Sequence, residues 1–170
     1  MIILSLGSNL SSTLGDRFHN LEMAILYLKK YEMKIINQSS YFETPSYPNE
    51  KNPKFINIII SLESNLDPLN FASVIIFIEN KLERVRNKKN DPRTCDIDII
   101  DFNKKVVNFN YHNSDFSIPH KKLIYRNFVL YPLKEIYPDW THPETNEGID
   151  DLIKRLDIKD KKSILKVKKP

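Results

Sequence analysis

Glycine is nearly absent from this chain. Only Gly7, Gly15 and Gly148 occur in 170 residues, so neither a GxxxxGKS/T phosphate loop nor a GxGxxG dinucleotide fingerprint is present. Any bound polyphosphate must therefore be held by side chains and metal, not by a glycine-rich backbone. HExxH, CxxC and GxSxG are also missing, which removes metalloprotease, zinc-ribbon and α/β-hydrolase readings. The one cysteine, Cys95, has no partner for an internal disulfide, and a reducing cytoplasm fits. Apolar runs such as Val74 to Ile78 fall far short of the ~20 residues that span a bilayer. The opening MIILSLGSNL lacks a basic leader, so no secretory signal and no membrane partner are expected.

Hydrophobic residues make up 41% and charged residues 28%, the balance of a soluble globular domain. The net charge of +4 would suggest nucleic acid were it spread over the chain. It is not: residues 159–170, KDKKSILKVKKP, hold six lysines and one aspartate, which leaves residues 1–158 at −1. The expectation is one domain over 1–158 and a solvated, frayed basic tail over 159–170, acting as a monomer on small molecules with no nucleic-acid partner.

Periodicity supplies the elements. A strand from Ile2 to Leu6 breaks at Gly7-Ser8-Asn9, and Phe18, Leu21, Ile25 and Leu28 mark a helix over about Leu14 to Lys30. Met33 to Glu43 reads as one loosely alternating strand, and the prolines of TPSYPNEKNP make residues 44–53 a loop. In the strand Phe55 to Leu62, Ile56, Ile58, Ile60 and Leu62 share one face, while Phe55 and Asn57 share the other. Asp67-Pro68 starts a helix, and Phe71, Ile75, Ile78, Leu82 and Val85 form its apolar stripe. A further strand follows at Asp96, a short strand pair lies near Lys105 to Phe109, and the rest reads as short helices and turns. The order β, α, β, β, α, β predicts an α+β, ferredoxin-like antiparallel sheet with flanking helices on one face.

The stretch PRTCDIDIIDF, residues 92–102, carries the chemistry. Alternation puts Asp96 and Asp98 on one face about 7 Å apart, with Cys95, Ile97 and Ile99 toward the core. Two carboxylates that close call for a hard cation, and magnesium prefers one or two protein carboxylates completed by water and phosphate oxygens. Arg93, Arg84 and Arg86 nearby are the guanidiniums expected where polyphosphate is held. The same residues on a solvent-facing strand would be ordinary surface charges. His120 and Arg126 flank PHKKLIYR, and Phe55 and Asn57 could stack on and hydrogen-bond to a flat heterocycle. Trp140 and His142 read as turn packing. An RNA-binding module and a metal-dependent nucleotide-sugar glycosyltransferase are the rival classes; carboxylates on the site face oppose the first.

Taken together, SLGSNL at 5–10, ETPSYP at 43–48, FIN at 55–57, RVR at 84–86, PRTCDIDIIDF, and IPHKKLIYRNFVLYPLKEI at 118–136 resemble the 6-hydroxymethyl-7,8-dihydropterin pyrophosphokinases of folate biosynthesis. The resemblance runs from about residue 2 to residue 143. It implies transfer of diphosphate from ATP to the pterin hydroxymethyl group, with AMP released. By the same resemblance Asp96 and Asp98 would hold two Mg2+ ions, and Arg84 and Arg93 would be the catalytic arginines. Glu79, Arg86, Ile99, Ser117, His120 and Arg126 would contact ATP. Phe55 and Phe128 would sandwich the pterin, with Asn57, Thr44, Pro45 and Tyr47 completing its pocket. Loops 44–53 and 87–92 are expected to open and close over the substrates. The second reads KKND before Pro92, where many family members carry a tryptophan, and Ile76 stands where some present a polar side chain.

Overall fold

The computed structural model describes residues 1–85, 91–111 and 114–170. Strand β1 (Ile2–Ser8) is followed by helix α1 (Arg17–Lys30), then β2 (Lys34–Gln38), β3 (Tyr41–Thr44) and β4 (Phe55–Glu63). Helix α2 (Pro68–Lys81) leads to β5 (Asp96–Phe102) and to a hairpin of β6 (Val107–Tyr111) and β7 (Ser114–Ile118). After a 3-10 turn at Leu123–Tyr125 come α3 (Asn127–Ile136), α4 (Ile149–Arg155), α5 (Ile158–Lys162) and β8 (Leu165–Val167). No described helix is long and apolar enough to cross a membrane.

The main sheet runs β5-β1-β4-β3-β8, with β2 also paired to β4, and the pairings are antiparallel. This is the expected α+β, ferredoxin-like arrangement, but the helices do not all lie on one face. One core packs Leu4, Leu6, Ile58, Ile60, Ile97 and Ile99 against Leu21, Leu28, Phe71 and Ile75 of α1 and α2. A second packs Ile3, Ile59 and Ile100 against Val129, Leu130 and Leu133 of α3 and Ile149 and Leu152 of α4. A sheet buried on both sides shows near-continuous apolar strands, and β1 is buried at every position.

Several boundaries differ from the periodicity, each for a local reason. The segment read as one strand over 33–43 is two, because Ser39 turns its hydroxyl inward to accept from Ile59 N at 2.9 Å. Helix α2 starts where Asp67 accepts from Leu69 N and Asn70 N, but it stops at Lys81. Glu83 then adopts a left-handed φ of 63°, and Val85 falls outside the stripe, 64% exposed. The lysine-rich end is not frayed: α5 is capped by Asp157, which accepts from Asp160 N, and β8 pairs with β3. Trp140 is no mere turn residue either, since its Nε1 donates to the buried Asp101 at 2.9 Å.

Candidate active site

Sheet register places the polar residues. Gly7 of β1 lies opposite Asn57 of β4 on one side and Asp96 of β5 on the other, so Asn57, Gly7 and Asp96 form one row across three strands. Ser5 lies between Ile59 and Asp98 in the next row of the same face. A register shift at Ile3/Leu4 brings Asp101 opposite Ile3, under Trp140. The face is thus divided: Ile3, Ile59 and Ile100 are covered by α3 and α4, while Asn57, Asp96 and Asp98 lie beyond those helices, Asn57 buried and the two aspartates partly exposed. Gly7 keeps that end open, because a Cβ there would stand 3.1 Å from Asn57 Oδ1 and 3.5 Å from the Phe55 ring.

Guanidiniums converge on the two aspartates. Arg84 NH1 lies 2.7 Å from Asp96 Oδ1 and also pairs with Glu79. Glu79 is buried on α2 and accepts from Ile97 N at 2.9 Å, which fixes Arg84 relative to β5. Arg93 holds Asp96 Oδ2 through Nε at 2.8 Å and NH2 at 2.7 Å, and its guanidinium lies over the Phe55 ring. Arg126 pairs with Asp98 and lies over the Phe128 ring. Burial pushes the Asp96 carboxyl up, but Arg84 and Arg93 outweigh it and hold the group below the usual carboxylate range. Burial opposes the charge on Arg84, yet Asp96 and Glu79 raise its pKa. Burial lowers the His120 imidazole despite Asp98 nearby; neutral, its Nδ1 accepts from Lys122 N at 3.1 Å.

Beside this cluster Asn57 Nδ2 donates to Thr44 Oγ1 at 3.0 Å and to Phe42 O at 3.4 Å, so β3 and β4 set the amide. Phe55, Asn57 and Thr44 line one end of the sheet face, with Pro45 in the loop beyond and the Tyr47 ring 83% exposed. Ile99 turns its side chain into the α1–α2 core on the opposite face, as strand alternation expects, so only its backbone faces this end of the sheet. Ser117 donates to Pro119 O at 3.3 Å on β7. Arg86 and residues 87–90 of the expected closing loop lie outside the described residues.

One residue escaped the sequence reading. Asn9, buried, accepts from Arg93 N at 2.7 Å through Oδ1 and donates through Nδ2 to Ser46 Oγ and Pro53 O. It therefore fastens the Arg93 loop to both ends of the 44–53 loop. Its place in the GSN break after β1, within the SLGSNL motif, was the hint, and its partners are too distant in sequence to infer.

The donor set can be tested against a metal. Among the described residues no group of three or more His, Cys, Asp or Glu could hold an ion. Asp96 and Asp98, each partly exposed, fit a hard cation that takes two carboxylates and draws its other ligands from water and phosphate. An α+β sheet that sets arginines and a carboxylate pair beside an aromatic ring and a buried amide has the groups of a phosphate-transferring enzyme. The 7,8-dihydro-6-hydroxymethylpterin-pyrophosphokinase (HPPK) family model matches residues 3–138, and the chain belongs to this family.

Relatives agree. The chain is 31% identical over 156 residues to 2-amino-4-hydroxy-6-hydroxymethyldihydropteridine pyrophosphokinase of Synechocystis, covering 91% of this chain and 75% of that one. It is 30% identical over 154 residues to the folic acid synthesis protein fol1 of Schizosaccharomyces pombe, covering 90% of this chain but only 20% of that much longer protein. The fold matches wild-type HPPK-DHPS of Plasmodium falciparum with a TM-score of 0.72 at 20% identity, over 91% of this chain and 40% of that one. Family membership leaves neither the RNA-binding nor the glycosyltransferase reading favoured.

Proposed function

We propose that this chain transfers the diphosphate of ATP to the hydroxymethyl group of 6-hydroxymethyl-7,8-dihydropterin and releases AMP. The observation that supports the reading is the row Asn57–Gly7–Asp96, which puts the Asn57 amide, with Phe55 next to it on the same face, beside the carboxylate and arginine cluster. Asn57 reads the polar edge of the pterin, Phe55 and Phe128 sandwich its ring, and Thr44, Pro45 and Tyr47 close the pocket. Arg84, Arg93 and Arg126 exchange carboxylate for phosphate oxygens and orient the triphosphate in line with the hydroxyl. Glu79 positions Arg84, while Arg86, Ser117, His120 and the backbone at Ile99 complete the nucleotide site.

Asp96 and Asp98 would hold two Mg2+ ions, which when bound neutralise phosphate charge and polarise the attacking alcohol. The alcohol oxygen bonds to the β-phosphorus, the bond from that phosphorus to the AMP oxygen breaks, and the hydroxyl proton leaves to water. The protein works as a monomer in the cytoplasm, with neither a nucleic-acid nor a membrane partner.

Incubation with ATP, Mg2+ and the hydroxymethyl-dihydropterin should yield AMP and pterin diphosphate in equal amounts. Absence of AMP, or AMP release that does not depend on the pterin, refutes the assignment.

A further inference from the structure

The C-terminal segment is the part of the molecule that the proposed reaction leaves without a role, yet it touches three elements of the site. Strand β8 pairs with β3, matching Glu43 with Leu165 and Tyr41 with Val167, and β3 ends at Thr44. Lys159 on α5 pairs with Glu50 of the 44–53 loop at 2.6 Å. The third link starts from a buried residue: Asn127 Nδ2 donates to Asp160 O at 2.7 Å and to Ser163 Oγ at 3.0 Å, both bonds partly buried. Asn127 stands between Arg126, which holds Asp98, and Phe128, whose ring that guanidinium covers.

We infer that Asn127 is a positioning residue for the pterin pocket, acting through the brace formed by α5 and β8. The inference rests on the proposed function. Phe128 lies at the start of α3 and Thr44 at the end of β3; a direct tie between α3 and the β2–β3 turn sits at the far end of the helix, where Glu135 accepts from Ser40 N and Oγ. The segment 157–167 bridges them by gripping β3 through backbone pairing and α3 through the Asn127 amide. Exposed ion pairs such as Lys159–Glu50 add little on their own. A buried amide that loses both acceptors is costly, so the Asn127 bonds are the stronger link. Their loss lets the start of α3 shift and carries Phe128 away from Phe55, while Arg84, Arg93 and Asp96, held to one another on other elements, keep their places.

The test compares the full-length protein with Asn127→Asp, which keeps the shape and removes both donated bonds, and with Ser163→Ala, which removes one acceptor. Asn127→Asp is expected to raise the pterin KM by on the order of tenfold, with kcat changed less than about twofold, and Ser163→Ala by about threefold. A general loss of structure would lower kcat through the folded fraction and would leave the KM of the surviving enzyme unchanged. If the wild type turns over and the folded variants keep its pterin KM, or lose kcat alone, the positioning role is overturned. Should Asn127→Asp fail to fold, the Ser163→Ala KM decides alone. A wild type without pterin-dependent turnover overturns the proposed function itself.

Discussion

Asp96 meets two arginines, and the consequences of its charge can be measured separately on chemistry and on stability. Its carboxyl is held below the usual range because Arg84 and Arg93 outweigh the burial that pushes it up. A carboxylate whose folded pKa is depressed contributes stability that is present above its unfolded value, 3.8, and lost as pH falls through the folded value. Asp96→Asn keeps the shape, leaves Glu79 on Arg84 and removes the charge. Turnover is expected to fall by about 10²–10³-fold, the scale on which loss of one electrostatic contact to the transition state is felt. The variant should also unfold with a shallower dependence on pH below 3.8 than the wild type. Steady-state kinetics and denaturant melts at several pH values check both, and retained turnover would remove Asp96 from the chemistry.

At the scale of elements, β5 is joined to the α3–α4 layer by the Ile100 packing and by a buried side-chain bond. Asp101 is 1% exposed and accepts from Trp140 Nε1 at 2.9 Å, from Lys104 N at 2.8 Å and from Lys104 Nζ at 3.2 Å. Trp140→Phe retains most of the apolar packing but leaves the carboxylate one donor short, a loss of about 1–3 kcal/mol for a bond to a charged group. Denaturant unfolding should show that loss with turnover per folded molecule unchanged; a neutral melt would contradict it. This link was invisible in PDWTHP because a tryptophan beside a proline-rich turn reads as packing whether or not its indole finds an acceptor. Helix α2 was legible because both its cap and its stripe are local. Its true end was not, since a left-handed residue at Glu83 has no side-chain signature. Strand β8 was hidden for a related reason: an edge strand pairs through its backbone, and lysines suit a sheet edge as well as a free tail. Asp96 and Asp98 could be assigned to one face because strand alternation is strict, whereas the Asn9 contacts join residues as far apart as Asn9 and Arg93.

For the molecule as a whole, the two-sided sheet has one end that α3 and α4 do not cover, and among the described residues three carboxylates there face three guanidiniums. Glu79, Asp96 and Asp98 meet Arg84, Arg93 and Arg126 in mutual pairs. A triphosphate arriving alone can take the guanidiniums only by stripping them from carboxylates, which leaves Asp96 and Asp98 uncompensated beside the new anion. A divalent cation arriving alone must displace arginines that are themselves held against the sheet, Arg84 by Glu79 and Arg93 by stacking on Phe55. Together the two exchange partners without leaving a bare charge, so their binding should be synergistic. At ligand concentrations a hundredfold above Kd the folded state gains about 2.7 kcal/mol. In a chain of this length that raises Tm by on the order of 5–10 °C. A non-hydrolysable ATP analogue with Mg2+ should therefore give a shift well beyond the sum of those given by the analogue with chelator and by Mg2+ alone. An equal shift without metal would show that the arginines suffice and that Asp96 and Asp98 hold no ion, and Asp98→Asn should then leave the shift unchanged instead of abolishing it.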